Sequence, residues 1–90
     1  MEGSAPASGA SISSLPRSLY FGEQGADVTA LQQFLDNQGF LAVSPTGYFG
    51  PLTQRAVQAY QCYENIVCGG TPATTGYGTV GPRTRTAIEK

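Results

Sequence analysis

The chain has 90 residues, with five lysine or arginine against six aspartate or glutamate, no histidine and two cysteines, and its net charge at neutral pH is −1. A near-neutral surface with scattered arginines excludes nucleic acid and anionic membrane as partners, because both are held by concentrated positive charge. Without histidine and with few carboxylates the chain lacks the acid–base pairs, activated nucleophiles and ligand clusters that catalysis uses. A non-enzyme without metal or cofactor is expected.

Residues 1–14 are small, polar and aperiodic, the composition of a flexible leader or linker. They have neither the basic start nor the apolar stretch of a signal peptide, and no later segment is long enough to insert in a membrane. A single domain is expected over 15–90. At its start, Leu15 to Tyr20 reads as a brief helical turn with Leu15, Leu19 and Tyr20 pointing inward, and Gly22 and Gly25 bracket a turn. From Asp27 the apolar residues Val28, Leu31, Phe34 and Leu35 recur at helical spacing, with Gln32, Gln33, Asp36 and Gln38 on the other side. Asp27 suits the N-terminal end by capping and by its charge, and Gly39 suits the stop.

After an apolar connection through Phe40, Leu41 and Val43, the chain carries a phrase that it later repeats. The first copy is Thr46-Gly47-Tyr48-Phe49-Gly50-Pro51-Leu52-Thr53 to Ala56-Val57, and the second runs from Thr75-Gly76-Tyr77 through Gly81-Pro82-Arg83-Thr84 to Ala87-Ile88. Both contain Gly-Pro-x-Thr-x-x-Ala followed by a β-branched residue. Proline lacks the N–H that a first helical position leaves unpaired, and its fixed φ suits the helix, so each copy reads as a helix start. Aligning Tyr48 with Tyr77 makes the second copy's loop two residues longer, with Phe49 or Val80 as the apolar plug.

The second helix is expected from Pro51 to about Glu64, with Leu52, Ala56, Val57, Tyr60 and Tyr63 inward, and the third from Pro82. Ile66 and Val67 read as a core plug after the break, and residues 68–76 as a long turn-rich loop. The expected fold is mainly α: a small three-helix bundle with an internal pseudo-repeat, a short N-terminal turn and at most a minimal two-stranded pairing, between the Tyr48 and Tyr77 segments.

Cys62 and Cys68 are read as a disulfide, with free thiols as the alternative; a zinc site lacks further ligands. On one continuous helix their Cα atoms would stand roughly 9 Å apart by rise alone, too far for a bridge, so the helix must end between them. Glu64-Asn65 is the expected break, asparagine tolerating the left-handed cap. A disulfide implies an oxidising, extracytoplasmic destination.

Three stretches together resemble the bacterial peptidoglycan-binding domain family of the three-helix type. They are Gly22-x-x-Gly25-x-Asp27-Val28-x-x-Leu31-Gln32-x-x-Leu35-x-x-x-Gly39, then Thr46-Gly47-Tyr48-Phe49-Gly50-x-x-Thr53-x-x-Ala56-Val57-x-x-Tyr60-Gln61, then Ile66 and Gly76-x-x-x-x-Gly81-x-x-Thr84. The resemblance runs from about Leu19 to Ile88. It implies a helical bundle that holds an attached cell-wall hydrolase or another envelope protein on peptidoglycan. The longer second loop and the cysteine pair depart from the general pattern.

Glycans and stem peptides offer hydroxyls, amides and carboxylates, which aromatic faces and polar side chains in a shallow groove recognise. The candidate ligand-binding residues are Tyr48, Phe49, Gly50, Thr53, Arg55 and Tyr77, with the Tyr48 to Arg55 turn as the expected surface. Each has a structural alternative: the tyrosine rings as core cover, Phe49 as plug, Thr53 and Thr84 as caps, and Arg55 as an exposed ion-pair partner rather than a carboxylate clamp. Gln32 and Gln61 can equally bond loop backbone. The expected function is a monomeric, non-catalytic wall-binding module of a larger extracytoplasmic protein. The alternative is a protein-interaction or spacer domain of a bacterial surface protein.

Overall fold

Positions 28, 31, 34 and 35 fall on one side of the first helix, and positions 53, 56, 57, 60 and 61 on one side of the second; these sides meet in the core. The computed structural model describes residues 18–42 and 44–89. In it α1 (Ala26–Asn37), α2 (Pro51–Tyr63) and α3 (Pro82–Glu89) follow one another as a mainly α three-helix bundle. The leader 1–14, the expected turn at Leu15 to Arg17, Val43 and Lys90 lie outside the described residues.

The helix starts follow the glycine-proline punctuation: Gly50 caps α2 with Pro51 in the first turn, and Pro82 opens α3. The cap of α1 is Gly25, not Asp27; Asp27 lies inside the first turn, where its charge favours the helix dipole. Both following ends close in the same way. Phe40 N donates to Leu35 O at 2.9 Å and Gly39 N to Asp36 O at 3.0 Å, while Ile66 N donates to Gln61 O at 2.8 Å and Asn65 N to Cys62 O at 3.0 Å. These are the paired bonds of a Schellman cap. Asn65 takes the left-handed conformation at φ 60°, which reverses the chain where the sequence predicts the break. The reversal brings Cys62 and Cys68 into a disulfide with their Cα atoms 4.4 Å apart.

Leu19 is not on a helical turn. It forms an antiparallel bridge with Val80, and Gln24 forms another with Tyr48. The minimal pairing therefore joins the N-terminal segment to each copy of the repeat in turn, instead of joining the copies to each other. The reason is packing: Leu19, Phe49 and Val80 are all fully buried, so the N-terminal segment places its own apolar residue beside both plugs. Burial of a side chain such as Phe49 contributes roughly 1.5–3 kcal/mol.

Around these plugs stand Val28, Leu31, Leu35, Ala56, Val57 and Ile88. Phe34 meets Tyr60 edge-on at 5.3 Å, and Phe40 meets Tyr60 at 5.6 Å. Burial, assisted by the Glu64 carboxylate, pushes the Tyr60 hydroxyl up to about 12.

Two expected core residues of α2 are outside the core: Leu52 is 55% exposed and Tyr63 73%. The buried side of α2 is completed by Thr53 and Gln61, two polar residues, and an apolar count shifts the stripe onto their neighbours. Gln32 is displaced from expectation in the same way, being buried among the core residues of α1 instead of on its outer side.

Candidate functional site: two glutamine-centred clefts

Gln32, Thr53, Gln61 and Thr84 are buried polar residues, and burial without partners is costly. The structure satisfies them in two equivalent constellations. Gln32 Nε2 donates to Thr53 Oγ1 at 2.9 Å, to the Tyr48 carbonyl at 2.9 Å and to Thr46 Oγ1 at 3.3 Å. Its Oε1 accepts from Thr46 N at 2.9 Å and Gly47 N at 2.8 Å. One helix later, Gln61 Nε2 donates to Thr84 Oγ1 at 3.1 Å, to the Thr79 carbonyl at 2.8 Å and to the Gly76 carbonyl at 3.0 Å, and its Oε1 accepts from Gly78 N at 2.8 Å.

Each glutamine thus uses both hydrogens and its oxygen inside the protein. It fixes the loop that precedes the next helix and has no donor left for a ligand. Thr53 and Thr84 accept from the glutamines, and neither α1 nor α2 has a side-chain cap bond.

These bonds also set the correspondence between the copies. Gly47 N matches Gly78 N, and the Tyr48 carbonyl matches that of Thr79. Gly50 N bonds the Tyr48 carbonyl at 3.1 Å, and Gly81 N bonds the Thr79 carbonyl, also at 3.1 Å. Gly47 and Gly78 share positive φ, 83° and 90°, a conformation that side chains other than glycine adopt at a cost. The place of Tyr48 is therefore taken by Thr79, not by Tyr77, and the two extra residues of the second copy precede Gly78. The glutamine recognises backbone, so the correspondence does not follow the aromatic side chain.

Each constellation stands behind a cleft. The first, about 180 Å³, is lined by Gln32, Thr46, Tyr48, Gly50, Pro51, Leu52 and Thr53. The second, about 220 Å³, is lined by Gln61, Ile66, Val67, Thr75, Gly76, Thr79, Gly81, Pro82, Arg83 and Thr84. Tyr48 is 42% exposed and lies over Gly50, where a Cβ would stand 3.1 Å from the ring carbon Cε2. The missing side chain of Gly50 thus lets the ring lie along the helix start.

Of the sequence-predicted site residues, the structure brings Tyr48, Gly50 and Thr53 together in the first cleft. Phe49 points into the core, fully buried. Arg55 is exposed on α2 and Tyr77 is partly buried, and neither lines a cleft. Sequence reasoning missed Thr46 and Leu52 as cleft residues, and it left Gln32 and Gln61 as incidental. A signal for the glutamines was present: each precedes a Gly-Pro-x-Thr threonine, by 21 and 23 positions, and the difference is the two-residue insertion.

The first cleft holds no carboxylate, amine, imidazole or thiol. Among the described residues no group of His, Cys, Asp or Glu is placed to hold a metal ion. The Tyr48 ring, Pro51 and Leu52 make the open surface of this cleft largely apolar, with the hydroxyls of Tyr48 and the exposed Thr46 as the polar groups within a ligand's reach.

The family described as "Putative peptidoglycan binding domain" matches residues 24–67, a span that contains every residue of the first cleft. Among solved structures the chain is similar to the Burkholderia AP3 phage endolysin, with 29% identity and a TM-score of 0.66 over 80% of this chain and 24% of that one. It is also similar to the SleB N-terminal domain, with 25% identity and a TM-score of 0.68 over 80% of this chain and 88% of that one. The chain thus corresponds to 24% of the endolysin's length and to nearly all of the SleB fragment. No curated protein matches it. In sequence over residues 24–67, and in fold over 80% of its length, the chain is thus similar to a peptidoglycan-binding-like domain, to a segment of the phage endolysin and to the SleB N-terminal domain.

Proposed function

We propose that this domain, as a monomer outside the cytoplasm, holds a larger cell-wall hydrolase or envelope protein on peptidoglycan, and that the first cleft is its contact with the polymer. The observation that carries this reading is the half-exposed ring of Tyr48 over a largely apolar cleft, with the exposed Thr46 hydroxyl beside it, in a loop that the fully bonded Gln32 fixes. An aromatic face next to fixed polar groups suits a sugar or an amide, which present alternating C–H and polar edges. The similarity to a phage endolysin favours a hydrolase as the attached protein, and the disulfide favours an oxidising compartment. The leader 1–14 then serves as linker to the rest of that protein.

The test is co-sedimentation with purified peptidoglycan sacculi. The folded parent is expected in the pellet, with Tyr48→Ala and Leu52→Ala each weakening retention by roughly threefold to tenfold, about 1 kcal/mol. Arg55→Ala, outside the cleft, is expected to change little. A folded parent that stays in the supernatant refutes wall binding; full retention of both cleft variants refutes only the site.

A second reading, as a protein-contact or spacer domain, has one observation in its favour. Tyr20 and Phe21, 52% and 48% exposed, frame a shallow apolar hollow of about 430 Å³ with Pro72 and Ala73. Such a patch suits a protein neighbour. Under this reading Tyr20→Ser with Phe21→Ser abolishes association with the adjoining domain and leaves sacculus binding unchanged.

A further inference from the structure

The two clefts are built on the same frame, yet one corresponding position differs in charge. Following Gly-Pro, the first cleft has Leu52 and the second has Arg83. Arg83 is exposed and is steadied at the rim by one nitrogen, Nη2 donating to the Ile66 carbonyl at 2.7 Å. A guanidinium has five N–H donors in a planar fork that matches a carboxylate, so one backbone bond fixes its orientation and leaves most of the fork available.

Beside Arg83 the cleft is lined by the apolar residues Ile66, Val67 and Pro82. Ile66 and Val67 are presented by the stretch that the Cys62–Cys68 bridge closes, and Pro82 by the start of α3. The glutamine behind the cleft is saturated, as in the first copy, so a ligand's charge must be met at the rim. The volume of about 220 Å³ is below the roughly 300–1,000 Å³ typical of drug-sized ligands. A space of this size matches a chain end bearing small side chains.

We propose that the second cleft binds the terminal carboxylate of a short peptide with small aliphatic side chains, Arg83 gripping the carboxylate while Ile66, Val67 and Pro82 cover the aliphatic part. This assignment rests on the wall-binding reading for its natural source, the peptide stems of the polymer. It divides the recognition: an uncharged ligand edge at the Tyr48 cleft and an anionic peptide end at the Arg83 cleft.

The experiment is an amide-resolved NMR titration of the whole chain with N-acetyl-alanyl-alanine, in L,L and D,D forms, and with the corresponding C-terminal amides. The acid is expected to give saturable shifts at residues 75–79 and at Arg83 Nε, and the amide to bind about tenfold more weakly, as loss of a charge-assisted bond implies. Arg83→Gln is expected to reduce acid binding about tenfold and Arg83→Lys by less, both with unchanged dispersion of the core resonances. Equal binding of acid and amide, saturable shifts confined to residues 46–53, or full acid binding by Arg83→Gln overturns the proposal. The sacculus assay separates the two readings. A parent that sediments but ignores the acid defeats this cleft alone. A parent that binds the acid through Arg83 but stays in the supernatant upholds the cleft chemistry and defeats the wall as its source.

Discussion

Gln32 on α1 and Thr53 on α2 are joined by a buried side-chain bond of 2.9 Å that spans 21 positions of sequence and fixes the loop between the two helices. The same relation recurs between Gln61 and Thr84 at 3.1 Å. A polar pair in the core thus does the positioning that a hydrophobic contact, being non-directional, cannot.

Replacing Gln61 by leucine removes the side-chain partner of Gly78 N and of Thr84 Oγ1, and leaves the Gly76 and Thr79 carbonyls with one backbone bond each. Each buried group left unpaired costs about 1–3 kcal/mol. The expected loss is about 3 kcal/mol, read as a lower urea midpoint, and Gln32→Leu should behave alike. A loss below about 0.5 kcal/mol, the range of an ordinary surface substitution, would contradict the role given to these residues.

Gly50→Ala separates binding from folding. Gly50 has an extended backbone, φ −105°, so alanine is not strained there, but its methyl group meets the Tyr48 ring. Near-parental stability with reduced sacculus retention is expected. Gly69→Ala, outside both clefts and with nothing within 4 Å of the added carbon, is the control and should affect neither.

The Cys62–Cys68 bridge closes a short loop, for which chain entropy gives about 2 kcal/mol of stabilisation. Reduction, or Cys62→Ala with Cys68→Ala, should lower the thermal midpoint by several degrees. Hydrogen exchange should rise most in residues 64–78, which include the Asn65 cap and the loop held by Gln61, and least around Gln32. Uniform acceleration across both copies would show that the bridge acts on the whole domain instead.

Alkaline titration reports on Tyr60. Its hydroxyl ionises at about 12 in the folded chain against an ordinary value of 10. A folded-state value raised above the unfolded one means that the neutral phenol is favoured by the fold. Its stabilising contribution is complete below about pH 10 and is lost as pH rises from 10 through 12. Absorbance near 295 nm should show one tyrosine titrating late, and Tyr60→Phe should remove that phase and flatten the decline in stability over this interval.

The helix starts at Gly50-Pro51 and Gly81-Pro82, the break at Asn65 and the disulfide were legible because each rests on local backbone chemistry or chain geometry. The core of α1 followed from its apolar spacing. What the sequence hid were the polar members of the core. Gln32, Thr53, Gln61 and Thr84 sit on buried sides for the sake of bonds to distant loops, and no local periodicity expresses that. The exposure of Leu52 and Tyr63 is the other side of the same misreading. The correspondence of Tyr48 with Thr79 was hidden for a related reason, since backbone groups and not side-chain types set it. In the candidate site, Tyr48, Gly50 and Thr53 were readable, while Leu52 and Thr46 became visible only when the loop was folded back onto α1.

The segment 18–25, two single bridges joined by a turn at 20–23, touches the second copy at Leu19–Val80 before it reaches the first at Gln24–Tyr48. If the domain tethers a protein to a wall under turgor, tension arriving from the N-terminal side loads these two stitches in series. Leu19 and its two bonds to Val80, at 3.1 and 2.8 Å, are strained first. The bonds of residues 22–25 to 47–49 lie further along the path, so the loop before α2 is loaded only after the Leu19–Val80 pair has parted. The order of the stitches along the chain would make the domain a graded mechanical fuse, with the loop before α2 as the last to let go.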